Sequence, residues 1–247
     1  MSLISRIVKK VGRSIQYLEN SDLLYLRQND GIFDLYDKIN QPWLKSIGIK
    51  TILDIGANIG QSTVTFARVF PDANIYAFEP IPKCYESLEA KFIDKANVST
   101  VNIALGAEPG ELSLELSDYT PSSSFRKMHN RHVEAFPNTV VNQTVSLRVD
   151  TLDNIGNTLV LQEPILAKID VQGFEDKVIA GGQETLKRCQ LVILETSFET
   201  LYEDQPLFHD IYNLMIEMGF KYAGSMGQLI HPITGDILQS DSLFIRK

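Results

Sequence analysis

Three carboxylates stand within or directly after short apolar runs of this sequence. Asp54 lies in TILDI, Glu79 follows NIYAF, and Asp170 follows ILAKI. Because open parallel sheets bind ligands at the carboxyl ends of their strands, we expect these side chains to lie near a bound ligand. Carboxylates can accept hydrogen bonds from cationic or hydroxyl groups, and they can also act as bases or bind a divalent metal.

The segment LDIGANIG, residues Leu53–Gly60, predicts a turn between a strand and a helix. Gly56 lets a ligand approach the backbone, and Gly60 permits tight packing where the helix begins. The G-x-N-x-G spacing, with Asn58 at its centre, lacks the middle glycine of a dinucleotide site. Asp54 would repel a pyrophosphate but attract the α-amino group of S-adenosylmethionine. The turn therefore favours S-adenosylmethionine over a dinucleotide.

Glu79 ends the second predicted strand, 23 residues after Gly56. A carboxylate at this place in a βαβ unit can accept hydrogen bonds from both ribose hydroxyls of a nucleoside. Taken alone, Asp54 could be a turn residue and Glu79 a solvated strand end. Their spacing on consecutive strands is what indicates a cofactor site.

The segment KIDVQGFE, residues Lys168–Glu175, carries the leading catalytic candidate. Asp170 could act as a base that accepts a proton from a hydroxyl, directly or through a bound metal. Glu175 is interpreted as structural, since a carboxylate in a first helical turn complements the helix dipole. Glu195 ends the next strand, LVILETSF, and is a candidate to face the acceptor pocket.

A polar stretch over 118–139 predicts a loop or lid, and loops of this length are often functional. His129 and His132 are candidates for a general base within it. Their H-x-x-H spacing could suit a metal, although no third ligand stands out. Ser123, in PSSSF, could contact a polar substrate or belong to a turn.

The elements that must position these residues follow an α/β order. Helices are predicted over 33–47, 61–70, 82–95, 175–188 and 208–218. Strands are predicted over 51–55, 73–78, 98–105, 111–117, 143–149, 165–171, 190–198, 220–225 and 242–247. The βαβ unit implies parallel strands, and the alternation of 111–117 suggests a hairpin partner. We expect a helical extension over 1–48 and one α/β domain over 49–247.

Composition limits the possible functions. The 247 residues are 44% hydrophobic, which suffices for one sizeable core, and no apolar run reaches the length of a membrane span. A net charge of −8 argues against nucleic-acid binding. Cys84 and Cys189 do not form a metal-type pair, so reduced thiols in a cytoplasmic protein are expected.

The first 20 residues place apolar side chains at helical spacing with lysines and arginines between them. One interpretation is a cap helix packed on the domain. The other is a basic amphipathic helix resting on an anionic membrane, which would place the protein peripherally at the inner membrane surface.

At these motifs the sequence resembles the FkbM family of S-adenosylmethionine-dependent methyltransferases, through LDIGANIGQ, AFEP, NIALG, VDTLD and AKIDVQGFEDKVIAGG. The resemblance spans residues 51–196. It implies a Rossmann-like class I methyltransferase fold with a mostly parallel seven-stranded sheet, helices on both faces and an antiparallel last strand. It also implies O-methylation of a hydroxyl on a sugar, glycan or natural product.

The resemblance assigns positions around the cofactor. Asp54, Gly56, Asn58 and Gly60 would line its methionine end, and Glu79 would bind its ribose. The segment from Asn102 to Ala104 would lie near its adenine.

One residue departs from the family pattern, because Gln172 stands where a glutamate is usual. Gln172 can donate and accept hydrogen bonds to a substrate but cannot take up a proton. Three alternatives stay open at this point. They are a methyltransferase of another small acceptor with a metal at Asp170, a nicotinamide oxidoreductase, and a non-catalytic cofactor-binding protein at a membrane surface.

Overall fold

The computed structural model describes residues 21–117, 124–126 and 141–247. The predicted N-terminal amphipathic helix, Ser123, His129 and His132 lie outside these residues. Within these ranges, no helix is long and apolar enough to cross a membrane.

A central sheet of seven strands runs through the described part of the chain, in the order β3-β2-β1-β7-β8-β10-β9. Its strands are β1 Thr51–Ile55, β2 Asn74–Phe78, β3 Val98–Val101, β7 Ile165–Ile169, β8 Cys189–Ser197, β9 Phe220–Ile230 and β10 Ile237–Arg246. Strands β3, β2, β1, β7 and β8 are parallel, whereas β10 is antiparallel to both β8 and β9. The predicted seven-stranded sheet with an antiparallel last strand is confirmed.

A second, three-stranded sheet lies beside the first, in the order β4-β6-β5. Its strands are β4 Ala104–Leu105, β5 Gly110–Ser117 and β6 Val141–Asp150. β5 and β6 are antiparallel, as the alternation predicted. The predicted single strand over 98–105 is wrong, because β3 joins the central sheet and β4 joins the small one. The Asn102 side chain donates to the carbonyls of Glu79 and Pro80 at this break, and so satisfies backbone acceptors outside the ladder.

Nine helices occur in the described ranges. They are α1 Ser21–Gln28, α2 Phe33–Ile39, α3 Pro42–Lys45, α4 Gln61–Val69, α5 Pro82–Phe92, α6 Leu152–Gly156, α7 Glu175–Ala180, α8 Gln183–Lys187 and α9 Phe208–Glu217.

Two predicted helices are each divided in the structure. The helix expected over 33–47 becomes α2 and α3, because the residue before Pro42 is extended, with ψ 143° at Gln41. The helix expected over 175–188 becomes α7 and α8, divided at Gly181 and Gly182. A Cβ on Gly181 would lie 2.0 Å from the carbonyl oxygen of Gly106, so a glycine is needed where these backbones meet.

Apolar clusters cover both faces of the central sheet. Ile52 and Leu166 face the cluster that contains the fully buried Leu26, Ile39 and Leu44 of the N-terminal helices. Alternate residues of the same strands face the second cluster, with α6, α7 and α9. Because side chains alternate along a strand, Asp54 and Lys168 share the face of the N-terminal helices. They are also register partners across β1 and β7.

Candidate active site

The turn after β1 and the turn after β7 touch at Gly56. Gly56 has φ +83°, and a Cβ there would lie 1.9 Å from the carbonyl oxygen of Asp170. No other residue type can occupy this position without moving one of the two turns. The sequence predicted that Gly56 lets a ligand approach the backbone. In the structure, the side of Gly56 that would carry a Cβ faces the turn after β7.

Glu79 joins the turn after β1 to the end of β2. Its side chain is buried, and its two oxygens accept the backbone N–H groups of Asn58 and Ile81, each at 2.8 Å. Burial raises the pKa of Glu79 to about 7, although these two bonds oppose the shift. Glu79 therefore fixes the left-handed backbone of Asn58, which has φ +51°.

Asp54 is fully buried beside this turn and is not among the residues that line the cavity. One of its oxygens accepts the Thr63 hydroxyl at 2.5 Å. The other, Oδ1, has no hydrogen-bond partner among the described residues. Burial raises the pKa of Asp54, while Lys168 and the Thr63 hydroxyl act in the opposite direction. Contact between Asp54 and the cofactor's amino group stays a prediction.

A cavity of about 270 Å³ opens at the carboxyl edge of the central sheet. Polar lining comes from residues that include Asn58, Gln61, Ser62, Glu79, Asp170 and Gln172. Apolar lining comes from residues that include Ile32, Ile81, Ile103, Ala104, Leu105, Leu114 and Phe125. Thus one cavity brings together the predicted residues of the cofactor turn and those of the catalytic turn.

These residues fit S-adenosylmethionine. Glu79 is a buried carboxylate that lines the cavity and could accept ribose hydroxyls, and apolar side chains from β4 and β5 suit an adenine. The N-terminus of α4, at Gln61 and Ser62, suits the negative methionine carboxylate.

Two other predicted cofactor residues do not line the cavity. A Cβ on Gly60 would lie 2.8 Å from the Phe92 ring, so Gly60 serves helix packing, as predicted. Asn102 braces the backbone after β2 by donating to its carbonyls. Ala104 does line the cavity, and its contact with the adenine stays a prediction.

Asp170 lies at the cavity and is held on both oxygens. Lys168 Nζ lies 2.7 Å from Oδ2, and Gln172 Nε2 donates to Oδ1 at 2.8 Å. Burial disfavours the charge of Lys168, but Asp170, Asp241 and Asp54 outweigh it and raise the pKa of Lys168. The carboxylate of Asp170 is therefore fixed in direction and compensated in charge.

Gln172 connects Asp170 to a second carboxyl. Its Nε2 also donates to Glu195 Oε2 at 2.8 Å, and its Oε1 accepts the Tyr202 hydroxyl at 2.9 Å. Glu195 contacts this network and is not among the cavity-lining residues, so the structure does not bring it to the cavity surface. Burial, together with the charge of Asp170, raises the pKa of Glu195 well above its usual value.

Glu175 closes the turn after β7 from within. It is 3% exposed and accepts the backbone N–H groups of Val171 at 3.0 Å and Gly173 at 3.2 Å. Burial raises its pKa to about 7. These contacts are those of a structural residue, in line with its interpretation from the sequence.

Sequence reasoning missed several residues of this site. Lys168 could have been noticed, because it is a charged residue inside the apolar strand ILAKI. Nothing in the sequence pointed to Tyr202, which follows β8 in an irregular segment. In the insertion, Ser124 is buried, and its hydroxyl donates to the Gln172 carbonyl at 2.6 Å. Phe125 lines the cavity and packs on Phe174 with ring centroids 5.3 Å apart.

The donor set gives the metal alternative no support. Among residues 21–117, 124–126 and 141–247, no three His, Cys, Asp or Glu side chains are arranged to bind a metal ion. Gln172 stands between the carboxyls of Asp170 and Glu195 instead.

The fold and the cavity together define a class I methyltransferase. The family model described as "Methyltransferase FkbM domain" matches residues 54–222, about two thirds of the chain. The chain therefore belongs to the FkbM methyltransferase family, and it is an S-adenosylmethionine-dependent enzyme.

Two relatives and one solved structure illustrate the similarity. The 2-O-methyltransferase NoeI of Sinorhizobium fredii is 28% identical over 76% of this chain and 77% of its own length. The hexuronic acid methyltransferase AglP of Haloferax volcanii is 25% identical over 58% of this chain and 54% of its own length. A crystal structure of a methyltransferase FkbM from Methylobacillus flagellatus has a TM-score of 0.52 at 14% identity, over 80% of this chain. This chain spans 44% of that longer protein, and the likeness shows the shared fold.

Proposed function

We propose that this protein transfers a methyl group from S-adenosylmethionine to a hydroxyl of a sugar or glycan, with Asp170 as the proton acceptor. One observation carries the proposal. The carboxylate of Asp170 lines the same cavity as Gly56 and Glu79, and its backbone touches Gly56. The names of NoeI and AglP, a 2-O-methyltransferase and a hexuronic acid methyltransferase, support a sugar hydroxyl as the acceptor.

Binding of the methyl donor is assigned to the turn after β1 and to its neighbours. Glu79 would accept the ribose hydroxyls, and the apolar side chains of Ile103 and Leu105 would contact the adenine. Gln61 and Ser62 would meet the methionine carboxylate with their helix N-terminus. The bound donor supplies an already activated methyl group, so the protein mainly aligns the acceptor and excludes water.

Proton transfer is assigned to Asp170. Lys168 on one oxygen and Gln172 on the other restrict the rotation of its carboxylate. Each oxygen keeps a lone pair that can accept a hydrogen bond from an acceptor hydroxyl. A general base positioned in this way contributes about 10²–10⁴-fold to a rate.

The proposal is tested with the full-length protein and S-adenosylmethionine labelled in the methyl group. A panel of free sugars, uronic acids and lipid- or peptide-linked glycans serves as acceptors, and each product is analysed for an O-methyl ether. Label transfer to a sugar hydroxyl is the expected result. Calorimetry with S-adenosylhomocysteine and NAD runs in parallel, and preferential binding of NAD would contradict the proposal.

A further inference from the structure

Gln172 occupies a backbone conformation that glutamine rarely adopts. Its φ is +56°, and the next residue, Gly173, has φ +88°. A non-glycine residue in the left-handed region costs about 1–2 kcal/mol, and such residues concentrate at functional sites. The conformation carries the Gln172 side chain back towards Asp170 at the end of β7.

Every polar atom of the Gln172 side chain is engaged. Nε2 donates to Asp170 and to Glu195, both at 2.8 Å, and Oε1 accepts from the Tyr202 hydroxyl. The Ser124 hydroxyl binds the Gln172 carbonyl from the insertion. The Tyr202 hydroxyl can donate to the amide oxygen, whereas the Asp170 carboxylate, paired with Lys168, needs an N–H donor, so the amide has one productive orientation.

The surroundings of the amide are rich in acidic groups. Ionisable groups that interact with Asp170 or Glu195 are Asp54 from β1, Lys168 from β7, Glu175 from α7, Tyr202 after β8, Asp241 from β10 and Glu79 after β2. Lys168 is the sole cation in this set, and it binds the Asp170 oxygen opposite Gln172. Between Asp170 and Glu195 the neutral amide of Gln172 is the connecting group.

We propose that Gln172 is a positioning residue, a neutral amide bridge that holds the carboxyls of Asp170 and Glu195 apart and directs Asp170 into the cavity. The assignment to catalysis rests on the proposed function, whereas the bridge itself rests on geometry alone. Contact between Gln172 and a substrate stays a prediction, since Gln172 also lines the cavity. Tyr202 sets the orientation of the bridge, and Lys168 completes the hold on Asp170.

A carboxylate at this position would create three adjoining carboxyls with one lysine. Like charges this close do not all stay ionised, so such a cluster would take up a proton or a divalent cation. The variant Gln172→Glu is therefore expected to become sensitive to pH and to Mn²⁺, while the wild type is not sensitive to Mn²⁺.

The first test measures thermal unfolding of the full-length protein from pH 5.5 to 8.5, with and without Mn²⁺. For Gln172→Glu we expect a Tm about 5 °C below wild type at pH 8, since about 2–4 °C corresponds to each kcal/mol in a chain of this size. A cluster that binds an extra proton when folded loses stability as pH rises. The deficit should therefore shrink towards pH 5.5 and on addition of Mn²⁺.

Two further variants control this result. Adding Glu195→Gln to Gln172→Glu returns one amide to the cluster, and it should recover most of the lost Tm at pH 8. Gln228→Glu adds the same charge on the exposed face of β9 and should leave the pH profile unchanged. A Gln172→Glu protein that matches Gln228→Glu at every pH, with or without Mn²⁺, would overturn the bridge.

The second test separates positioning from folding. Tyr202→Phe removes only the hydroxyl that orients the amide, and a misplacement of about 1 Å can lower a rate about 10²-fold. We therefore expect kcat to fall by up to about 10²-fold, while the Kd for S-adenosylhomocysteine stays unchanged within error. If kcat is unchanged in Tyr202→Phe, the positioning role of Gln172 is overturned. This result can be obtained even if Gln172→Glu fails to fold. If the wild type methylates no sugar, the proposed function fails, and the melting profiles still decide whether the amide bridges the two carboxyls.

Discussion

The turn after β1 and the turn after β7 meet at Gly56, and a buried glutamate supports the backbone of each. Glu79 accepts two backbone N–H groups at the first turn, and Glu175 accepts two at the second. The turn after β7 adds a network of side chains, from Lys168 through Asp170 and Gln172 to Glu195, in which Asp170 and Gln172 line the cavity. A backbone cradle suits a ligand of constant shape, whereas a side-chain network can orient one reactive group. This difference is in line with the proposal that the first turn binds the cofactor and the second carries the acceptor chemistry.

The largest effect is expected where the two turns touch. Gly56→Ala places a Cβ against the Asp170 carbonyl oxygen, so both turns must move. We expect a loss of about 4 kcal/mol or more, in the range of severe core substitutions, and no measurable turnover. Chemical denaturation with a methyl-transfer assay checks this.

Gly48→Ala is the matched control for Gly56→Ala. Gly48 also has positive φ, at +70°, but nothing lies within 4 Å of its Cβ position. Its cost should be that of backbone strain alone, about 1–2 kcal/mol. Equal losses in the two variants would mean that contact between the turns is unimportant.

The next effect should separate chemistry from cofactor binding. Asp170→Asn keeps the shape of the side chain but removes the base, so kcat should fall by about 10²–10⁴-fold. The Kd for S-adenosylhomocysteine should stay within a few-fold, as measured by calorimetry. Asp72→Asn, at an exposed position, provides the control for the loss of one negative charge. Full activity in Asp170→Asn would remove Asp170 from the mechanism.

The reverse pattern is expected at Glu79. In Glu79→Gln, the amide N–H₂ group replaces one of the two carboxylate oxygens, so one backbone N–H group loses its acceptor. Leaving a buried donor unpaired costs about 1–3 kcal/mol. Cofactor affinity should weaken by about 10–100-fold, with a smaller effect on kcat at saturating cofactor.

Affinity for the cofactor should also depend on pH through Glu79. Its pKa is about 7 because of burial, and the ionised form has more acceptor sites for ribose hydroxyls. Affinity in the wild type should therefore rise as pH increases through 7, and this rise should be absent in Glu79→Gln. Calorimetry between pH 6 and 8.5 measures both. If the affinity of the wild type does not change over this pH range, Glu79 does not bind the ribose hydroxyls.

The smallest effect is expected at Glu175, which supports the second turn without facing the cavity. Burial raises its pKa to about 7 from an ordinary value of 4.5, so the folded protein binds a proton more tightly than the unfolded chain. Stability from this group is present below about pH 4.5 and is lost as pH rises through 7. Glu175→Gln should flatten the Tm profile between pH 5 and 7 and change Tm by only a few degrees at pH 7. If Tm depends on pH in the same way in Glu175→Gln and in the wild type, Glu175 is not the source of that dependence.

Much of the fold could be predicted because its signals are local. Short apolar runs before turns located β1, β2 and β7, and the glycine spacing around Gly56 indicated the first ligand turn. Helix divisions were harder, because the helical pattern is interrupted at Gly181, where the chain meets the distant Gly106 backbone. The split between β3 and β4 likewise depends on which sheet offers each strand a partner.

In the candidate site, too, some residues could be predicted from the sequence and others could not. Glu79 and Asp170 could be selected from their places at strand ends, since a parallel sheet brings such ends to one edge. The network could not be predicted, because Lys168 and Gln172 of one segment meet Glu195 and Tyr202 of others, and the side-chain directions depend on the assembled sheet. Gln172 in particular reaches Asp170 through a left-handed backbone that its residue type does not favour.

By itself, the sequence determined the class of sheet, the edge at which the cavity opens and the two turns that meet there. These follow from periodicity, glycine spacing and charge, which act over a few neighbouring residues. The tertiary structure decided which side chains face the cavity and which support it from behind. Asp54 and Glu195 are acidic residues near strand ends, as is Asp170, but of the three only Asp170 lines the cavity. Burial and hydrogen bonding made that distinction, and both depend on contacts between residues far apart in the chain.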